Sequence, residues 1–413
     1  MEFNVDRHVK TYWDKLKFIG LSNAKEDEFT DATCENSIRT SKFLEELNLD
    51  PIMPELNRHY SVSEGEEMYP RRAMFKTVVF RKIKKIKYYT RTQRYLDNYP
   101  DEAIELGFNM DLSGNVIVPD HETLRHFEKI RLGNEAMDVI MELFCIKVVE
   151  AGNNLGLRIG ENTGTDSTPI ETPHDPVGTY NGHYKKKMVK MHITSDYDHT
   201  IPLAKKVCGG TDDDNQYFEG MLRKTAVSAK KNMRETWFDG GYNENKNLAL
   251  AHVEFNLMCH YHIDRNWRRN VWYEHRIGGK NYTFMPEQEV NYLYRKYWKE
   301  PDYNKDASLG CMMQYLIKKG IYEPVAMYFR NAYMNEYEEC PDGVLDVYHM
   351  RNNNEGVNSY MKGNLGLETH VNGKGMKNID LHGTQCCITI LAVALIRLQH
   401  GIKENIHSVA YLT

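Results

Sequence analysis

Three acidic residues sit in settings suited to holding a hard divalent cation. Asp166 lies in TGTDSTPIE, Asp239 in WFDGGY, and Glu355 in YHMRNNNEGVNSYMK, the run from Tyr348 to Lys362. Donor sets made only of oxygen favour Mg2+ over zinc and other softer metals. Two such ions about 4 Å apart can make a water or a 3′-hydroxyl nucleophilic and stabilise the oxygen that leaves a phosphodiester. No protein nucleophile is then needed.

Glu355 has neighbours that matter. On a helix Tyr348, Arg351, Glu355 and Lys362 fall at about 0°, −60°, −20° and −40°, and Val357, Met361 and Met350 face the opposite side. The spacing predicts one helix over 347–365 with an apolar side and a polar stripe. Arg351 and Lys362 on that stripe would neutralise a phosphate brought to the carboxylates.

Asp166 and Asp239 require strands to carry them. TGTDSTPIE, KKMVKMHITSDY and TIPLAKKVCGG read as three strands in quick succession, with turn residues Asp196, Asp198 and His199 between the last two. A helix over 217–231, the strand ETWFDGGY, a helix over 243–254 and the strand FNLMCHYHI follow. Three strands, helix, strand, helix, strand is the order of an RNase H-like core, an α+β fold with a mixed sheet and flanking helices. In such a sheet the strands bearing Asp166 and Asp239 are neighbours. A nearly all-apolar helix over 381–398 reads as buried.

The chain of 413 residues has 53 Lys and Arg against 58 Asp and Glu, a net charge of −5. That average conceals a local excess: ten basic residues and no acidic one lie between Pro70 and Arg94. Apolar residues at near-helical spacing predict a helix with one cationic side over 69–96. Pro119 and Asp120 then open a further helix in which Leu124, Phe127 and Ile130 recur three apart. Together they predict a helical DNA-binding region in which Arg71, Arg72, Lys82, Lys84 and Lys85 hold phosphates.

These segments resemble a known family. TGTDSTPIE, YNGHYKKKMVKMHI, WFDGGY and the spacing Y-x2-R-x3-E-x6-K are similar to insertion-sequence transposases of the DDE class that carry a Y-R-E-K signature. The resemblance runs from about Tyr69 to Leu398 and includes PDHETLRHF. It implies a catalytic, metal-binding triad of Asp166, Asp239 and Glu355, with Tyr348, Arg351 and Lys362 contacting DNA near the cleaved end. It also implies two Mg2+ ions, replaceable by Mn2+, DNA partners in the form of element ends and target, and a homodimer when two ends are synapsed. An RNase H-like nuclease that cuts without rejoining, or a non-catalytic DNA-binding derivative, would share much of this sequence.

The implied layout is an N-terminal helical arm (1–60), a helical DNA-binding domain (61–150), a first part of the core (151–265), an insertion (266–344) and C-terminal core helices (345–413). A hairpin over 271–284 turns at Gly278 and Gly279, and Trp267, Trp272 and Trp298 lie nearby among cations. These aromatics and Trp237 are candidates to hold an unpaired base; a small aromatic core is the plainer reading of the insertion.

Other signals point elsewhere. Cys259, His260 and His262 lack zinc-finger spacing, and alternation in a strand sends Cys259 away from the two histidines. Asp212, Asp213 and Asp214 read as a solvated turn, and Asp264 as a strand-end polar residue. No P-loop or HExxH motif occurs, which argues against a nucleotide cofactor. Eight cysteines without a CxxC pair and an N-terminus without an apolar leader predict a cytoplasmic protein with reduced thiols and no membrane span, and the family resemblance implies a prokaryotic one.

Overall fold

The computed structural model describes residues 38–410 and 412, apart from 61–67, 263–272, 278, 300–303 and 351. The N-terminal half is helical: α1 (Thr40–Glu45), α2 (Met53–Arg58), α3 (Arg71–Ile83), α4 (Tyr89–Asn98), α5 (Pro100–Leu106), α6 (His121–His126) and α7 (Gly133–Asn154). Strands follow: β1 (Asn162–Glu171), β2 (Thr179–Asn181), β3 (Lys186–Asp196) and β4 (Ile201–Gly209). Then come α8 (Asn215–Ala229), β5 (Glu235–Phe238), α9 (Asn245–Val253), β6 (Met258–Tyr261) and a hairpin, β7 (Tyr273–Ile277) and β8 (Lys280–Phe284). The last helices are α10 (Pro286–Tyr297), α11 (Leu309–Lys318), α12 (Glu323–Glu339), α13 (Pro341–His349), α14 (Asn352–Leu365) and α15 (Met376–Gln399). The three strands, the helix and the two further strands with a helix between them match the order read from the sequence, and only the short β2 was not expected.

The chain forms two compact units. One comprises residues 31–212, 221–233 and 353–413, and the other includes 213–220 and 234–352. The helices of 61–150 share a unit with β1–β4 and the C-terminal helices.

In that unit β3 lies between β1 and β4, antiparallel to both, and β2 extends its edge. Its centre is α15, which packs on α7, α3 and β4. α15 is long and apolar enough by composition to cross a membrane, yet 94% of its apolar window is buried inside the protein. Lys205 on β4 pairs with Asp380 and Asp138, and Thr384 donates to Asp138 at 3.0 Å, so charge pairs border the apolar contact.

The basic stretch differs from its expectation. It is two helices, and α3 is buried from Ala73 to Ile83, including Lys76, Arg81 and Lys82. No cationic side faces solvent there, because the apolar residues outnumber the cations and the helix sits against α15. Arg81 instead pairs with the equally buried Glu128 and lies 4.0 Å over the Tyr89 ring. Asp120 caps α6 as predicted, accepting from the Thr123 N–H at 2.8 Å. A π-helical segment, Phe127–Leu132, then widens the turn and leaves Ile130 62% exposed, which breaks the three-residue apolar recurrence.

In the other unit β5 and β6 run parallel, α9, α13 and α12 pack nearby, and β7 pairs with β8 across the glycine turn. Trp298 packs on Tyr294 and Tyr315, at 4.9 Å from each ring, so its aromatic cluster belongs to a small core of α10 and α11. Trp267, Trp272 and Asp264 lie outside the described residues. Antiparallel strands in one unit and a parallel pair in the other, each with packed helices, make a mixed α+β fold.

Candidate active site

Along β1 the residues alternate between two faces. Thr165 is buried and its hydroxyl bonds that of Thr194 across the β1–β3 ladder at 2.8 Å. Asp166 comes next, opposite Ile193, and is half-buried. Its Oδ2 accepts a hydrogen bond from the Asn358 side-chain amide at 3.1 Å. Three residues further along β1 the Pro169 carbonyl accepts from Lys362 Nζ at 3.0 Å. Asn358 and Lys362 are both on α14, so helix and strand run alongside each other in the same direction. Glu355 lies in the first turn of α14, exposed and one turn before Asn358, where the helix dipole favours an anion.

Lys362 also pairs with Glu368 at 2.7 Å. At the far end of α14, Lys85 donates to the Gly363 carbonyl at 2.8 Å, one of the carbonyls left without a partner in the last turn of a helix. The two lysines thus both hold α14 at its last turn.

Asp239 belongs to the other unit and follows β5. It is exposed, and its Oδ1 accepts from the Gly240 N–H at 2.7 Å, capping the single turn Gly240–Tyr242. Below it Trp237 is fully buried, donates from Nε1 to the Val347 carbonyl at 2.8 Å and stacks on His260 at 4.5 Å. That bond pins α13 to β5. Trp237 has no exposed face for a base, so that expectation is corrected: the ring is a packing element of the strand. His260 bonds Glu235 at 2.9 Å and is satisfied in the core, and burial pushes the Cys259 thiol well up.

The polar stripe over 347–365 falls on two helices rather than one, since α13 runs to His349 and α14 from Asn352. Tyr348 is 8% exposed and meets His262 edge-on at 5.9 Å. Arg351 lies outside the described residues. Glu355 and Lys362 do share a face of α14, and Asn358 joins them. Sequence reasoning passed over Asn358 because an amide carries no charge, although its position three residues after Glu355 puts it on the same stripe.

The basic residues divide by exposure. Arg72 and Lys85 are exposed, Arg71 is half-buried against Asn57 and Tyr60, and Lys84 lies near Glu102 at 3.9 Å. Lys82 is 6% exposed and meets His382 Nδ1, whose other ring nitrogen donates to the Gly366 carbonyl at 3.1 Å. Burial lowers the Lys82 amine to about 8 and His382 well below its usual value. Lys82 is therefore a core residue rather than a surface phosphate ligand. Among the described residues no three His, Cys, Asp or Glu side chains are grouped closely enough to hold a metal ion.

Residues 165–370 match the family model described as "Transposase DDE domain". The chain carries a DDE transposase domain. The matched segment begins one residue before Asp166 and encloses Asp239 and Glu355, so all three acids lie in the transposase domain. Among solved structures the chain is similar to the cryo-EM structure of the piggyBac transposase synaptic complex with hairpin DNA, with a TM-score of 0.31 and 11% identity over 89% of this chain and 85% of that one. No curated protein matches the transposase chain.

Proposed function

We propose that this transposase binds the terminal inverted repeats of its own insertion sequence, cuts the ends and joins them to target DNA, as a homodimer when two ends are synapsed. The observation that carries the reading is the family match over a segment that includes Asp166, Asp239 and Glu355. The docking of the Glu355 helix on the Asp166 strand supports it.

Asp166, Asp239 and Glu355 are the proposed ligands. The donor set fits Mg2+, with Mn2+ as a substitute, because it is made of hard oxygens. Asn358 adds a buried side-chain carbonyl oxygen without a hydrogen-bond partner beside Asp166. Two bound ions would supply electrostatic stabilisation of both the entering and the departing oxygen at phosphorus. Lys362 exchanges Glu368 for a DNA phosphate near the cut end, and Tyr348 and Arg351 contact the same end. Arg71, Arg72, Lys84 and Lys85 add salt-dependent affinity that does not depend on sequence.

The test uses duplexes bearing the repeats that flank the gene. Mg2+-dependent nicking at the repeat ends, and joining of pre-cut ends to a plasmid, are the expected results. Nicking without joining would point to a nuclease, and binding with neither would point to a non-catalytic derivative.

A further inference from the structure

We infer that Asn358 is a positioning residue for Asp166, setting the orientation of that carboxylate relative to Glu355. The inference rests on the reading of Asp166 and Glu355 as metal ligands and adds a residue that neither the Y-R-E-K spacing nor the acidic triad contains.

Asn358 is 7% exposed, and its amide nitrogen is 3.1 Å from Asp166 Oδ2. An ionised carboxylate can only accept, so the amide must present its nitrogen to Asp166. Its carbonyl oxygen is then left buried and without a hydrogen-bond partner. A buried acceptor left unpaired costs free energy, and in native proteins such atoms call for an explanation. A water molecule held on a cation beside Asp166 would supply the missing donor.

The backbone gives the contact leverage. Asn358 is one helical turn from Glu355, and the Lys362 bond to the Pro169 carbonyl is one turn further along α14. Two bonds therefore fix both the register and the rotation of α14 on β1. Of the two, the Asn358 bond is the one that ends on a proposed ligand. Residues that orient ligating carboxylates typically change metal affinity about 10- to 100-fold when removed.

The experiment compares the full-length protein with Asn358→Ala and with the isosteric Asn358→Asp. Mn2+ affinity is measured by electron paramagnetic resonance without DNA, and end nicking is measured against Mg2+ concentration. Asn358→Ala is expected to weaken Mn2+ binding and raise the half-saturating Mg2+ about 10-fold or more, with binding of end DNA unchanged. Asn358→Asp removes the donated hydrogen bond at nearly constant shape and is expected to change the Mn2+ affinity and the half-saturating Mg2+ about 10-fold or more. Wild-type Mn2+ affinity and an unchanged half-saturating Mg2+ would overturn the inference. If Asn358→Ala fails to fold, the isosteric variant decides alone. Asp166→Ala is the companion control: if it also keeps full nicking, the triad reading has failed, whereas loss there with unchanged Asn358 variants overturns only the inference.

Discussion

At the scale of single residues, charge and burial decide which side chains are available for chemistry. Asp239 and Glu355 are exposed and Asp166 is half-buried. Asp166→Asn, Asp239→Asn or Glu355→Gln removes one anionic ligand at nearly constant volume. Each should lower end nicking on the order of 10^3-fold while gel-shift binding of the repeats changes little; a variant that nicks normally would not be a ligand. Lys82 makes a different prediction. Its amine falls to about 8 in the folded protein from 10.5, so the unfolded chain holds more protons between those values. Wild-type stability should then rise relative to Lys82→Met as pH goes from 8 to 10.5, by about 1–3 kcal/mol. Denaturant melts of both proteins at several pH values would read this, and a gap that does not change with pH would count against a buried amine.

At the scale of elements, the N-terminal helices are joined through one buried acid. Glu128 pairs with Arg81 of α3, accepts from the Tyr89 hydroxyl of α4 at 3.1 Å and from the Gln385 amide of α15 at 2.8 Å. It stands in the π-helical segment, whose extra residue rotates the neighbouring side chains. Removing Glu128 leaves the Arg81 charge buried without its counterion. Glu128→Ala should therefore cost about 3–5 kcal/mol of unfolding free energy, and the double variant with Arg81→Met should recover a large part of it. Equal losses in the single and double variants would mean that the ion pair is not the reason. The sequence signalled this segment only as basic, because a helical wheel does not distinguish a cation facing water from one facing an acid on another helix.

At the scale of the whole molecule, the interior of the larger unit is organised by α15, with α7, α3 and β4 around it. Leu391, near its middle, is 0% exposed. Leu391→Ala should destabilise the protein by about 2–5 kcal/mol, measured by denaturant unfolding, because deletion in a packed core loses both transfer free energy and contacts. A loss well below 1 kcal/mol would place the centre of the core elsewhere. The division into two units also cuts across the transposase domain, since Asp166 and Glu355 belong to one and Asp239 to the other.

Much of this was legible from local pattern alone. Strand alternation over 162–171, 186–196 and 201–209, the Asp120 cap, the glycine hairpin and the apolar run of α15 all depend on residues close in sequence. Steric and hydrogen-bonding preferences act at that range, so these elements and the spacing of the three acids could be read directly. Tertiary packing decided the rest. It buried Arg81, Lys82 and Trp237, and brought Asn358 to Asp166 across 192 positions. Such outcomes depend on which surface meets which, and a side chain's own type says little about the partner that will cover it.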